Sequence, residues 1–103
     1  MIRTSNKNSS HWASNRRPFK ANNLSGDFEN ECFVIRSYRH YPIFINKGGQ
    51  WYENENSYSR TTAKQMTQVS WEFRHHAIKK TTEELRSMIR EGKEEDSSLK
   101  FMK

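Results

Sequence analysis

Residues 57–64 read SYSRTTAK and place four hydroxyl side chains, Ser57, Ser59, Thr61 and Thr62, around the cations Arg60 and Lys64. Hydroxyl donors, cations and the free amides at the start of a helix can together hold a phosphate. Ser59, Thr61 and Thr62 are therefore candidate phosphate-contacting hydroxyls, with Arg60 and Lys64 as the charges beside them. Ser and Thr are also the ordinary residues for capping a helix, and the neighbouring Trp51, Tyr52 and Tyr58 are ordinary lids on a thin core. The stretch supports a structural reading and a binding reading together.

Other chemistry is poorly represented. The histidines are His11, His40, His75 and His76, and no pair has the i, i+4 spacing or the cysteine company of a zinc site. His75 and His76 suit the basic end of a helix. No nucleophile elbow, phosphate loop or dinucleotide-binding glycine pattern occurs, and the glycines are used in turns. Glu53 and Glu55 can flank a substrate as paired carboxylates, but on a hairpin rim they are more simply solvated. The expectation is a protein with no catalytic residues, metal or cofactor, and so not an enzyme.

Lys and Arg outnumber Asp and Glu by 18 to 12, giving a net charge of +6 and a pI near 9.7. Residues 1–26 hold Arg3, Lys7, Arg16, Arg17 and Lys20 and no acid. A balance of this sign favours polyanionic partners. The lone Cys32 sits in an apolar run beside Phe33 and Val34, where a buried, inert thiol is expected. No apolar run approaches the roughly 18 residues that cross a bilayer, and MIRTSNKNSS has no apolar segment behind its charge. A soluble protein of a reducing cytoplasm, without a membrane partner, is expected.

These residues must be positioned by a small core, because only 32% of the 103 residues are hydrophobic and mean hydropathy is -1.15. Residues 1–26, rich in Asn, Ser and cations with Trp12 and Phe19 isolated, read as a basic flexible arm. The compact domain is expected over 27–92, followed by a flexible charged tail over 93–103. ECFVIRSY and YPIFIN read as paired strands, with Pro42 at an edge or a strand start. Gly48 and Gly49 supply a tight hairpin that returns Gln50 to Glu53 as a third strand. From Ser59, a candidate N-cap with Thr61 or Thr62 as alternatives, Ala63, Met66, Val69, Phe73 and Ala77 follow a helical period. Thr81 and Glu84 fit a capping box before Leu85, Met88 and Ile89, with Gly92 as the stop. The fold class is α+β: a small three-stranded antiparallel sheet packed by one or two C-terminal helices.

The order SY, YPI, WYEN, YSRTTAK resembles a small family of domains of unknown function from tailed bacteriophages and some prokaryotes, which carries a hydroxyl-rich YSxTT segment after a short hairpin. Ser37, Tyr38, Pro42, Ile43, Trp51, Tyr52, Tyr58, Ser59, Thr61, Thr62 and Lys64 carry the resemblance, with Phe19, Leu24 and Ser25 as weaker company, over about half of the chain. Where that pattern has a histidine after Lys64, this chain has Gln65. The resemblance implies no established activity. It does imply a phage-type accessory protein made in the cytoplasm of an infected bacterial host.

The expected function is non-enzymatic binding of DNA or RNA, with Arg3, Lys7, Arg16, Arg17, Lys20, Arg60 and Lys64 on phosphates and affinity that falls steeply with salt. Tyr38, Tyr41 and Tyr52, with Arg36 and Arg39, suit stacking on unpaired bases. The alternative is a protein-binding inhibitor or modulator of a host enzyme or defence system, docking through exposed aromatics and the arm.

Overall fold

A computed structural model of the chain describes residues 2–38, 40–56, 60–70 and 72–91, excepting the side chains of Arg60 and Thr61. Seven strands form one mixed sheet in sequence order: β1 (Ile2–Arg3), β2 (Phe19–Lys20), β3 (Leu24–Glu29), β4 (Cys32–Ser37), β5 (Tyr41–Lys47), β6 (Gln50–Asn54) and β7 (Ile78–Lys80). Strands β2 to β6 are antiparallel, whereas β1 runs parallel to β2 and β7 parallel to β6. Each parallel pair needs a crossover. Helix α1 (Ser9–Ser14) lies in the first crossover and α2 (Arg60–Val69) in the second, and residues 82–91 form a third helix, α3.

The expected three-stranded sheet is therefore corrected to seven strands. Only β4, β5 and β6 were visible as strands, because they alone combine sufficient length with apolar residues. Strands β1 and β2 have two residues each, and β7 is Ile-Lys-Lys with Ile78 47% exposed. Short, charged strands are how a sheet protects its edges, and they leave little hydrophobic pattern to read.

The flexible N-terminal arm is corrected too. Phe19 is fully buried and Ala13 and Leu24 nearly so, all in one cluster with Phe33, Ile35, Phe44, Trp51, Met66, Val69 and Phe73. Two rings that look isolated in sequence thus anchor the segment, Phe19 in the core and Trp12 against it. The tail over 93–103 and the Gly92 stop lie outside the described residues.

Both faces of the sheet are covered, which explains the nearly unbroken apolar runs of β4 and β5. Phe33 and Ile35 point towards α1 and α2, while Cys32 and Val34 join Ile45, Leu85 and Ile89 under α3. A bulge in the β4–β5 ladder pairs Ile35 with Phe44 but Arg36 with Pro42, so Ile43 is the extra residue. That slip is why Ile43 and Phe44 both enter the first core. Pro42 sits at the strand start beside the bulge, where its missing amide hydrogen is tolerated. Gly48 and Gly49 have φ of 61° and 84°, and make the two-residue turn that pairs Lys47 with Gln50.

The first long helix is shorter than its period suggests. At its end the Ser70 hydroxyl and amide both donate to the Met66 carbonyl, and the amides of Phe73 and Arg74 then turn back to Ser70. This turn delivers Phe73 flat onto Trp51, with centroids 3.8 Å apart, and edge-on to Phe44. Arg74–His76 is a 3₁₀ turn rather than α-helix, and β7 follows. The capping box of α3 is present, with the Thr81 amide donating to Glu84 Oε1 at 3.0 Å and the Glu84 amide to Thr81 Oγ1 at 3.2 Å.

Candidate nucleic-acid interface

The strands that carry the sequence motif end where α2 and α3 begin. Tyr41, at the start of β5, donates its hydroxyl to the Asn56 carbonyl at 2.9 Å and accepts from Thr82 Oγ1 at 3.1 Å. Asn54 donates to both the Pro42 carbonyl and Thr82 Oγ1, and the Thr82 amide donates to Asn56 Oδ1. These bonds lock the end of WYENEN to the first residue of α3. On the other side of the sheet Ser37 donates to Gln65 Oε1 at 2.6 Å, and Gln65 donates to the Asn23 carbonyl. Gln65 is 1% exposed, so its unusual place in the motif is a structural bridge between β4, α2 and the N-terminal segment.

Thr62 is buried. Ser59 and the side chains of Arg60 and Thr61 lie outside the described residues, as do Tyr58 and Arg39. The remaining predicted cations, Arg3, Lys7, Arg16, Arg17, Lys20 and Lys64, make no ion pair among the described residues. The described ion pairs are Arg36 with Glu29, Arg74 with Glu53 and Lys80 with Glu84. Arg36 is thereby withdrawn from the proposed stacking group, and Tyr52 packs on the second core. Glu53 is not solvated on a hairpin rim, being 6% exposed and held by Arg74.

Four clefts adjoin through shared walls. The first is walled by Arg3, Lys7 and Trp12, and the second by Lys7, Lys64 and Asn23. The third is walled by Lys20, Asn23 and Tyr38, and the fourth by Tyr38, His40 and Arg86. Each cleft shares a wall with the next: Lys7, then Asn22 and Asn23, then Tyr38. Five cations line this track, and among the described residues Glu72 is the lone carboxylate, accepting from the Ser14 hydroxyl. Strand pairing sets Arg3 opposite Lys20, while Arg17 lies 5.8 Å over the Trp12 ring. Arg16 is not brought to the track and lies instead beside Phe28 and the Gly48–Gly49 turn.

Sequence reasoning missed Arg86, Asn22 and Asn23, and no local signal marks them. Arg86 belongs to an amphipathic helix whose exposed face is charged throughout, and the two asparagines sit in a polar loop. Among the described residues no group of His, Cys, Asp and Glu can hold a metal ion, and no helix is long and apolar enough to cross a membrane. Glu84 is held below the ordinary glutamate range, chiefly by the Thr81 amide, then by the Thr81 hydroxyl and Lys80. Comparison of the chain with known protein families, curated proteins and solved structures found no match.

Proposed function

We propose that this protein is a non-enzymatic accessory protein that binds single-stranded DNA or RNA along the four-cleft track. The observation that carries the reading is the continuity of cations, without an ion pair among the described residues, with aromatic rings. Arg3, Lys7, Lys20, Lys64 and Arg86 contact the backbone, while Trp12 and Tyr38 offer faces to bases. Cations that follow a groove, interleaved with rings, are what an unpaired strand requires. The amides of Asn22 and Asn23 add donors that do not depend on sequence. In keeping with the sequence resemblance, we assign it to a phage-type setting in a bacterial cytoplasm.

The test is fluorescence anisotropy of labelled single strands and duplexes at about 50 and 200 mM salt. Five phosphate contacts on a single strand give a log-log slope near -3.5, hence about a hundredfold loss of affinity across that range. Single strands are expected to bind more tightly than duplex. Absence of binding at the lower salt overturns the proposal, as does binding that salt leaves unchanged. A second reading, docking on a host protein, is favoured by Phe28, which is 56% exposed and lies beside Arg16. Replacing Phe28 by Ser separates the two, since it spares strand binding under the first reading.

A further inference from the structure

The cleft beyond Tyr38 has a floor fixed by hydrogen bonds. It measures about 480 Å³, within the range of small-molecule sites. The Tyr41 and Thr82 hydroxyls that form its floor are bonded to each other, to Asn54 and to Asn56, and the Ser37 hydroxyl is bonded to Gln65. The groups facing the space are the Tyr38 ring, 58% exposed, and the side chains of His40 and Arg86. Neither His40 nor Arg86 has a side-chain hydrogen bond or ion pair among the described residues. No carboxylate lines the cleft among those residues, which disfavours a cationic ligand.

Tyr38 is held in place rather than merely exposed. Its amide donates to the Asn23 carbonyl at 2.9 Å, its hydroxyl accepts from Asn23 Nδ2 at 3.4 Å, and its φ is 51°. A bulky residue is uncommon in that left-handed region, and here it turns the ring outwards as the wall between two clefts. An aromatic face with a guanidinium and an imidazole across a space of this size matches an aromatic anion.

We infer that this cleft takes one nucleotide, its base against the Tyr38 ring and its phosphate at Arg86 and His40. The inference deepens the reading of the track and rests on it, because Tyr38 is the wall they share. The nucleotide can be a free monophosphate or the phosphorylated end of a bound strand, and the chemistry recognised is the same.

Calorimetric titration of the full chain with adenosine, adenosine monophosphate, and short strands with and without a terminal phosphate tests it. The variants are Tyr38→Asn and Arg86→Gln. Asparagine accepts the left-handed backbone and glutamine is an equally good helix former, so both variants keep the fold. Tyr38→Asn is expected to weaken both the nucleoside and the monophosphate at least fivefold. Arg86→Gln weakens the monophosphate at least fivefold and leaves the nucleoside unchanged. If only terminally phosphorylated strands show the Arg86 dependence, the ligand is a strand end. If the free monophosphate shows it too, the cleft also takes free nucleotide. The inference is overturned if no monophosphate or phosphorylated end binds, or if neither variant changes binding. Loss of the track reading looks different: unphosphorylated strands then fail to bind, or bind with Lys7→Ala and Lys64→Ala having no effect, while adenosine monophosphate still binds and still depends on Tyr38 and Arg86.

Discussion

Replacing Gly26 by Ala is expected to destabilise the protein severely, through a single methyl group. Gly26 lies in β3 between Phe19 of β2 and Ile35 of β4. A Cβ there falls 2.5 Å from Phe19 Cε1 and 2.9 Å from both Phe19 Cδ1 and Phe33 Cζ. Carbon atoms pack at about 3.5 to 4.0 Å, so the nearest overlap is about 1 Å. Phe19 and Phe33 are buried to within 1% and cannot move aside. Overpacking of this kind costs about 1 to 3 kcal/mol, and expulsion of the Phe19 ring about 3 to 5. A loss of about 2 to 4 kcal/mol follows. For a small domain with a urea slope near 1 to 1.5 kcal/mol/M, the midpoint falls by about 1.3 to 4 M. Urea titration followed by tryptophan fluorescence reads this, since Trp51 is stacked in the same core. In a Phe19→Ala background the same glycine substitution should cost less, because the nearer of the two rings it strikes is gone and only the Phe33 contact remains. A loss below about 0.5 kcal/mol in the wild-type background refutes the reasoning and restores the N-terminal segment to a loose arm.

Further outcomes follow from the same contacts. Asn30 and Glu31 form the β3–β4 turn with φ of 48° and 69°, so Glu31→Gly should raise stability by about 1 kcal/mol in thermal or urea unfolding. Arg74→Ala leaves the buried Glu53 carboxylate without its partner and should cost about 1 to 2 kcal/mol, discounted because Arg74 is itself partly exposed. Glu84 binds its proton less readily when folded than when unfolded, owing first to the Thr81 amide. Its contribution is therefore complete above the ordinary glutamate range and is lost as pH falls through and below it. Melting temperatures of Glu84→Gln and wild type should accordingly converge in acid and differ at neutral pH, and a constant gap counts against this cap.

What the sequence disclosed depended on local rules. The Gly48–Gly49 hairpin, the Thr81–Glu84 capping box and the apolar runs of β4 and β5 were legible because each is set by neighbours in the chain. Strand β3 was not, since it buries only Leu24 and Gly26 on the inner side, and a strand glycine reads as a turn. Strand β7, Ile78–Lys80, was hidden because it follows directly on an apolar period that fits a helix through Ala77, and only its pairing with β6 marks it as a strand. The predicted cations Arg3, Lys7, Lys20 and Lys64 line adjoining clefts, a tertiary arrangement in which β1–β2 pairing sets Arg3 opposite Lys20 while Lys7 precedes α1 and Lys64 lies on α2. Tyr38 was readable as an exposed aromatic, whereas its left-handed backbone and its partner Asn23 are tertiary facts.

The most direct measurement is the salt dependence of single-strand binding by wild type and by the Lys7→Ala, Lys64→Ala double variant. Both lysines are exposed and make no ion pair among the described residues, so the fold should survive their loss. Each removed phosphate contact should lower the magnitude of the log-log slope by about 0.7, a combined change near 1.4. That decrease, with weaker binding at every salt concentration, is the predicted result. Wild-type binding with a slope that the double variant leaves unchanged contradicts the track as the strand-binding surface.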